Sequence, residues 1–171
     1  MSKLTVTFAA SDYEHTRDLT RGDIQAEGID LRYLNLQIEE TFFRFIKFRE
    51  WDVSEMSFSS LIKAIAGGND QWVGIPVFTT HHFFQNWMLI RKDSGIERPE
   101  DMAGKRVGVP EFQQTAAVWS RGILKDEFGV EQTDMEYWME RLPETSHGGA
   151  TGFVPPPGVT VNQIPLETNI G

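Results

Sequence analysis

The sequence contains no cysteine among its 171 residues, which excludes disulfide bonds and thiolate metal sites. Basic residues are also scarce: 16 Lys and Arg stand against 25 Asp and Glu, giving a formal net charge of −9. Phosphate binding requires a basic face, so this balance argues against a nucleic-acid partner. A small anionic ligand needs only a few local donors, and the charge does not exclude one.

Long apolar runs are missing as well. No run in the sequence approaches the roughly 20 residues that a membrane span requires. The N-terminus enters a strand pattern directly, and no apolar signal core follows a basic start. We therefore expect a cytoplasmic protein with no membrane partner. The sequence does not fix the oligomeric state, and a homo-oligomer is compatible with it.

The patterns that are present predict an α/β protein. Alternating apolar residues in Leu4–Phe8 and Ile29–Tyr33 are typical of strands. Helical periodicity follows from Glu39 and again from Phe58. Further strands are predicted at Asp52–Glu55, Trp72–Phe78, Trp87–Arg91, Met135–Trp138 and Val159–Ile164.

The stretch from Gly104 to Trp119 predicts a strand, a sharp turn and a helix. Val107 and Val109 form the strand, and Pro110 ends it because proline cannot donate to a ladder. We predict the helix from Gln113 or Gln114 to Phe128, closed by Gly129. Its N-terminus would favour an anion, with side-chain donors from Gln113, Gln114 and Thr115. An ordinary helix with a polar cap explains the same pattern.

Polar residues at the ends of the predicted strands are the other candidates, since ligands of open α/β sheets bind at the carboxyl edge. Asp12 and Tyr13 follow the first strand, and Asp12 is equally a candidate helix N-cap. Glu55 precedes a helix that Ser57 would cap. Glu55 is therefore either a carboxyl group of the site or a residue that favours the helix dipole.

Two domains are predicted, residues 1–92 and 93–171, because the segment from Arg91 to Met102 is polar. From Pro143 the sequence loses its apolar period and becomes rich in Gly and Pro. Such an irregular tail is unusual inside a compact domain.

Five stretches together closely resemble the family of 4,5-dihydroxyphthalate decarboxylases: Leu4–Leu34, Asp52–Ser57, Ile75–Phe78, Gly104–Glu111 and Gln114–Leu124. That family belongs to the periplasmic-binding-protein-like, type II superfamily. The resemblance implies two α/β lobes with a ligand in the cleft between them. Family members are longer, so the resemblance also implies a second lobe that is incomplete here and an N-terminal part of a longer protein.

The resemblance implies loss of carbon dioxide from a dihydroxylated aromatic acid, a small aromatic carboxylate, without an organic cofactor. The reaction requires a general acid at the ring carbon, a group that takes the hydroxyl proton, and donors for the remaining carboxylate. We predict Glu55 or His82 as the acid/base residue. Predicted substrate-binding residues are Asp12, Tyr13, Ser54, Ser57, Gln114 and Thr115.

Three alternatives stay open at this point. A divalent metal held by Glu55, His82 and Asp12 is conceivable, but their spacing gives no metal signature and we predict none. The same fold most often hosts solute receptors, so a non-catalytic binding protein for an organic anion is the rival function. The third alternative is an inactive truncated fragment.

Overall fold

The computed structural model describes residues 2–142, 144, 146, 152–168 and 170. They form two compact units, Met1–Ser57 with Val73–Thr79, and Phe58–Trp72 with Thr80–Gly171. This grouping differs from the division predicted between residues 92 and 93, since residues 58–72 and 80–92 join the later part of the chain. The domain organisation of the protein stays a prediction.

The first unit is built on a three-stranded parallel sheet. Its strands are β1 (Leu4–Ala10), β2 (Ile29–Asn35) and β3 (Val53–Ser54), in the order β2-β1-β3. Ala10 lies opposite Asn35 and Ala9 opposite Ser54, so all three strands end at one edge. The strands at Leu4–Phe8 and Ile29–Tyr33 are therefore confirmed, and the one at Asp52–Glu55 is confirmed in a shorter form.

Two helices connect these strands. α1 (Arg17–Arg21) follows a 3₁₀ turn at Glu14–Thr16, and α2 (Ile38–Phe48) leads from β2 towards β3. α2 buries Thr41 and Ile46, while Arg44 pairs with Glu40 and Glu50 on the opposite side. The acidic start of α2 at Glu39 and Glu40 suits the helix dipole, as its sequence predicted.

The second unit contains another parallel sheet and two long helices. Its elements are α3 (Phe58–Ala66), β4 (Arg106–Val109), α4 (Thr115–Phe128), β5 (Glu136–Met139) and β6 (Thr160–Gln163), with strand order β4-β5-β6. The core lies where α4 covers this sheet. It consists of Val109, Phe112, Leu124, Val130, Met135 and Tyr137.

The strand, turn and helix predicted between Gly104 and Gly129 are confirmed. Gly129 ends α4 in the left-handed conformation, with φ of 68°. The backbone N–H of Val130 then bonds the carbonyl of Leu124 at 3.0 Å, which satisfies one of the free carbonyls of the last turn.

Two predicted strands are wrong. Trp72–Phe78 and Trp87–Arg91 contain no strand, although a short 3₁₀ turn spans Phe84–Trp87. No described strand lies beside either segment, and a strand without a ladder partner leaves its backbone unpaired. Val73 and Leu89 are accordingly 88% and 93% exposed.

Much of the Gly- and Pro-rich tail, including His147 to Gly149, lies outside the described residues. Within residues 2–142 and the described parts of the tail, no helix is long and apolar enough to cross a bilayer.

Candidate acid–base site

The carboxyl edge of the first sheet brings together residues that are far apart in the sequence. Because β1 and β3 run parallel and end side by side, the residues after Ala10 and Ser54 meet at this edge. The backbone N–H of Glu55 bonds the carbonyl of Ala9 at 3.1 Å, which fixes where its side chain starts.

Glu55 is the centre of this edge, with only 8% of the residue exposed. Its Oε1 accepts a hydrogen bond from the backbone N–H of Ser11 at 2.7 Å. Its Oε2 accepts hydrogen bonds from the hydroxyls of Tyr13 at 2.7 Å and Thr79 at 3.1 Å. Three donors on one carboxylate match a group that only accepts hydrogen bonds, and they fix its two oxygens in place.

Tyr13 connects this buried carboxylate to solvent. The Tyr13 residue is half-buried, and its ring stacks on His15 with centroids 5.5 Å apart. Part of Tyr13 is therefore accessible to solvent, while its hydroxyl donates to Glu55. A proton received at Tyr13 Oη can be matched by transfer of the Tyr13 proton to Glu55 Oε2.

The negative charge at this edge also affects the pKa of a neighbouring tyrosine, Tyr33. Tyr33 donates from Oη to the carbonyl of Ala10 at 3.0 Å. Burial raises the pKa of Tyr33, and the carboxylates of Asp12 and Glu55 raise it further. The ends of β1, β2 and β3 thus form an acidic edge.

A cavity of about 490 Å³ opens beside this edge. It is lined by Ser11 and by the residues from Asn35 to Glu39, where β2 passes into α2. Ser11 joins the cavity to the buried carboxylate, because its N–H donates to Glu55 and its Oγ donates to the carbonyl of Leu36. The volume lies within the range of small-molecule sites.

Three other predicted site residues of this unit take different roles. Ser54 donates to the carbonyl of Glu55 at 2.9 Å. Ser57 is buried at 4% exposure. Asp12 caps no helix, because Tyr13 and Thr16 occupy the N-cap positions, and it lies 3.4 Å from Arg17 instead.

The second sheet also has a buried glutamate after a strand. Glu111 follows β4, is 0% exposed and accepts a hydrogen bond from Gln113 Nε2 at 2.5 Å. Arg141, just beyond β5, pairs with Oε1 of Glu111 at 2.9 Å, and Ser146 donates to Oε2, the oxygen that Gln113 also contacts, at 3.0 Å. Its charge is therefore compensated within this unit by Arg141, whereas Glu55 has no cation within 4 Å among the residues that the structure describes.

Two of the three donors predicted at the start of α4 are engaged, Gln113 with Glu111 and Thr115 with Ser59. Gln114 occupies the N-cap position without a side-chain capping bond. The hydroxyl of Thr115 accepts a hydrogen bond from the backbone N–H of Ser59 at 3.2 Å, which ties the start of α3 to the start of α4. Ser59 also donates to the carbonyl of Gln113 at 2.6 Å.

His82, the other predicted acid/base residue, lies in the second unit. It is exposed, and its ring packs against Trp87 with centroids 4.9 Å apart. In the described part of the chain, no group of three or more His, Asp and Glu residues is placed to hold a metal ion. Glu55 is instead held by the N–H and hydroxyl groups described above.

The sequence did not predict that Ser11 and Thr79 bond to Glu55. It also did not predict the buried ion pair between Glu111 and Arg141. A signal existed for Ser11 and Glu111, because both follow directly on strands at a carboxyl edge. No local pattern marks Thr79, which reaches Glu55 from an irregular segment 24 residues away.

These features define an α/β protein with two parallel sheets and polar carboxyl edges. The chain belongs to the NMT1/THI5 like family, a periplasmic-binding-protein-like family that it matches over residues 26–139.

The chain is also similar to two curated relatives whose names specify an enzyme. The chain is 39% identical over 137 residues to a 4,5-dihydroxyphthalate decarboxylase of Comamonas testosteroni, covering 80% of this chain and 42% of the relative. It is 36% identical over 145 residues to a 4,5-dihydroxyphthalate decarboxylase of Pseudomonas putida, covering 85% of this chain and 56% of the relative. The chain thus spans about half the length of these relatives.

Proposed function

We propose that this protein decarboxylates a dihydroxylated aromatic acid of the 4,5-dihydroxyphthalate type, with Glu55 and Tyr13 transferring the proton. The observation that carries the proposal is the 2.7 Å hydrogen bond from the Tyr13 hydroxyl to the buried Glu55 carboxylate. The similarity to two decarboxylases of that name supports the substrate class.

The chemistry requires a proton acceptor at a ring hydroxyl. In 4,5-dihydroxyphthalate each carboxylate lies para to a hydroxyl group. When that hydroxyl loses its proton, electron density moves to the carbon that bears the carboxylate, and this carbon accepts a proton. Cleavage of the bond to the carboxylate then releases carbon dioxide and restores aromaticity, and return of the first proton to the ring oxygen gives 3,4-dihydroxybenzoate.

Tyr13 and Glu55 fit the first of these steps. The substrate hydroxyl gives its proton to Tyr13 Oη as Tyr13 gives its own to Glu55 Oε2. Thr79 and the N–H of Ser11 hold the carboxylate in position while this occurs. A positioned acid–base group of this kind typically contributes about 10²–10⁴-fold to rate.

The remaining roles are proposed from the sequence and the family. His82 is the proposed proton donor to the ring carbon, and Asp12, Ser54, Ser57, Gln114 and Thr115 are proposed to bind substrate oxygens. We propose that the two units are the two lobes of a type II binding-protein fold, the second incomplete in this chain. A cytoplasmic location and the absence of a resident metal belong to the same proposal.

The test is to incubate the protein with 4,5-dihydroxyphthalate and to measure carbon dioxide and 3,4-dihydroxybenzoate. The proposal predicts both products in equal amounts. Binding of 4,5-dihydroxyphthalate without release of either product would favour the solute-receptor alternative.

A further inference from the structure

A second cavity lies in the second unit, away from the core face of its sheet. Its volume is about 550 Å³. Arg106 and Gly108 of β4 and Trp138 of β5 line it, on the sheet face opposite to Val107, Val109 and Tyr137. Lys105 and Ser94 form one end, and Ile96, Ile164, Pro165, Thr168 and Ile170 complete the wall.

We propose that this cavity binds an aromatic carboxylate, with Lys105 and Arg106 contacting the carboxylate and Trp138 contacting the ring. The proposal goes beyond the decarboxylation proposed above and does not depend on it.

The first argument is charge. Among the described residues, neither Lys105 nor Arg106 has a carboxylate within 4 Å, although the chain carries a net charge of −9. Glu136 lies opposite Arg106 in the sheet, and its Oε1 accepts a hydrogen bond from Asn162 at 2.6 Å rather than forming an ion pair with Arg106. The cavity is therefore lined by two cationic residues, Lys105 at one end and Arg106 on the sheet face, which favour an anion in it.

Asp101, which interacts electrostatically with Lys105, is engaged in hydrogen bonds of its own. Asp101 Oδ2 accepts hydrogen bonds from the backbone N–H groups of Glu97 and Arg98, both at 3.0 Å. These bonds lower the pKa of Asp101, with a smaller contribution from the charge of Lys105. Within the described part of the chain, the Lys105 ammonium donates only to the carbonyl of Ser94, at 3.5 Å.

The second argument is the apolar wall. The indole of Trp138 offers a planar surface, and its Nε1–H has no acceptor among the described residues. Ile96 and Ile164 add aliphatic surface around it. A cation pair beside an aromatic and aliphatic wall fits a carboxylate attached to a ring, whereas inorganic phosphate would leave the apolar wall unused.

Gly108 allows Ile170 to pack closely against this face of the sheet. A Cβ at Gly108 would lie 2.9 Å from Cγ2 of Ile170, closer than packed carbon atoms approach. Any side chain at this position would displace the residue that closes the cavity.

The experiment follows the indole ¹⁵N–¹H signal of Trp138, assigned by its loss in Trp138→Phe, during titration of the 171-residue chain. The probes are benzoate (charge and ring), acetate (charge alone) and catechol (ring alone). We expect a saturable shift with benzoate, binding at least fivefold weaker with the other two, and loss of affinity in 0.5 M NaCl. Removing one cation should weaken benzoate binding about tenfold.

The variants are Lys105→Met and Arg106→Met, with Lys92→Met as a control because Lys92 is exposed and outside the cavity. Glu55→Gln should leave the Trp138 response unchanged, which separates this site from the proposed catalytic one. Any of three results would overturn the proposal. They are no Trp138 shift with benzoate, an affinity for catechol equal to that for benzoate, or an affinity for benzoate that neither Lys105→Met nor Arg106→Met changes.

Discussion

Tyr13 and Glu55, 42 residues apart in the sequence, are joined by a 2.7 Å hydrogen bond at the carboxyl edge of the first sheet. The bond exists because β1 and β3 pair in parallel and end together. It links Tyr13, a half-buried residue, to Glu55, a residue that is 8% exposed. This pair is the proton-transfer unit of the proposed reaction.

Replacement of Tyr13 by Phe tests the hydroxyl of that pair. We expect Tyr13→Phe to lower the rate of carbon dioxide release from 4,5-dihydroxyphthalate about 10²-fold, since a positioned acid–base group is lost. Tyr33→Phe is the control, because the Tyr33 hydroxyl bonds a backbone carbonyl rather than Glu55. Equal rates in the two variants would remove Tyr13 from the mechanism.

The hydroxyl of Tyr137 offers a stability test in the second unit. It is buried without a hydrogen-bond partner among the described residues, whereas the Tyr33 hydroxyl is bonded to Ala10. In urea titrations at pH 7, Tyr137→Phe should change the free energy of unfolding by less than about 0.5 kcal/mol, and Tyr33→Phe should lower it by about 1 kcal/mol. The reverse order would contradict the placement of these two hydroxyls.

Tyr137 also predicts a loss of stability in alkali. Burial raises the pKa of Tyr137 from 10.0 to about 12. The folded state favours the neutral phenol, so this contribution is fully present below pH 10 and is lost as the pH rises through about 12. Tyr137→Phe should lose less stability between pH 10 and pH 12 than the unaltered protein does, measured by urea titration at each pH.

The hydrogen bonds of Asp52 should make the free energy of unfolding depend on pH in the opposite direction, with a loss of stability in acid. Its Oδ2 accepts hydrogen bonds from the hydroxyl of Thr7 at 2.7 Å and the N–H of Thr7 at 2.8 Å. These bonds lower the pKa of Asp52 below 3.8. The stabilisation is therefore present above pH 3.8 and is lost as the pH falls through the lowered pKa of Asp52 in the folded state. Asp52→Asn should be less stable than the unaltered protein at pH 7, and the difference should shrink below pH 3.8.

Two glycines near the same helix should respond in opposite ways to alanine. Gly129 has φ of 68° at the end of α4, where an L side chain is strained. Gly122 lies inside α4 with no atom within 4 Å of an added Cβ. We expect Gly129→Ala to lower the unfolding free energy by about 1 kcal/mol and Gly122→Ala to raise it by about 0.5–1 kcal/mol. Urea titration of both variants provides the comparison.

The sequence predicted the elements whose pattern is local. The alternation in β1 and β2, and the proline and glycine that bound the turn and α4, determine structure within a few residues. Trp72–Phe78 has the same apolar character, yet it forms no strand, because strand formation also needs a neighbouring ladder that periodicity does not report.

The candidate site was predictable to a similar extent. Parallel strands share a carboxyl edge, so the meeting of Tyr13 and Glu55 followed from placing both at strand ends. The contribution of Thr79 was not predictable, since it depends on the path of an irregular segment. Its hydroxyl nevertheless shares Oε2 of Glu55 with Tyr13.

The most direct test of the account is the rate at which Glu55→Gln releases carbon dioxide from 4,5-dihydroxyphthalate, compared with Glu50→Gln as a control on the surface. The glutamine keeps the size of the side chain but cannot take up a proton. We expect the rate of carbon dioxide release to fall by at least about 10²-fold in Glu55→Gln while substrate binding persists. In Glu50→Gln the rate should stay near that of the unaltered protein. An unaltered rate in a folded Glu55→Gln protein would contradict the central claim.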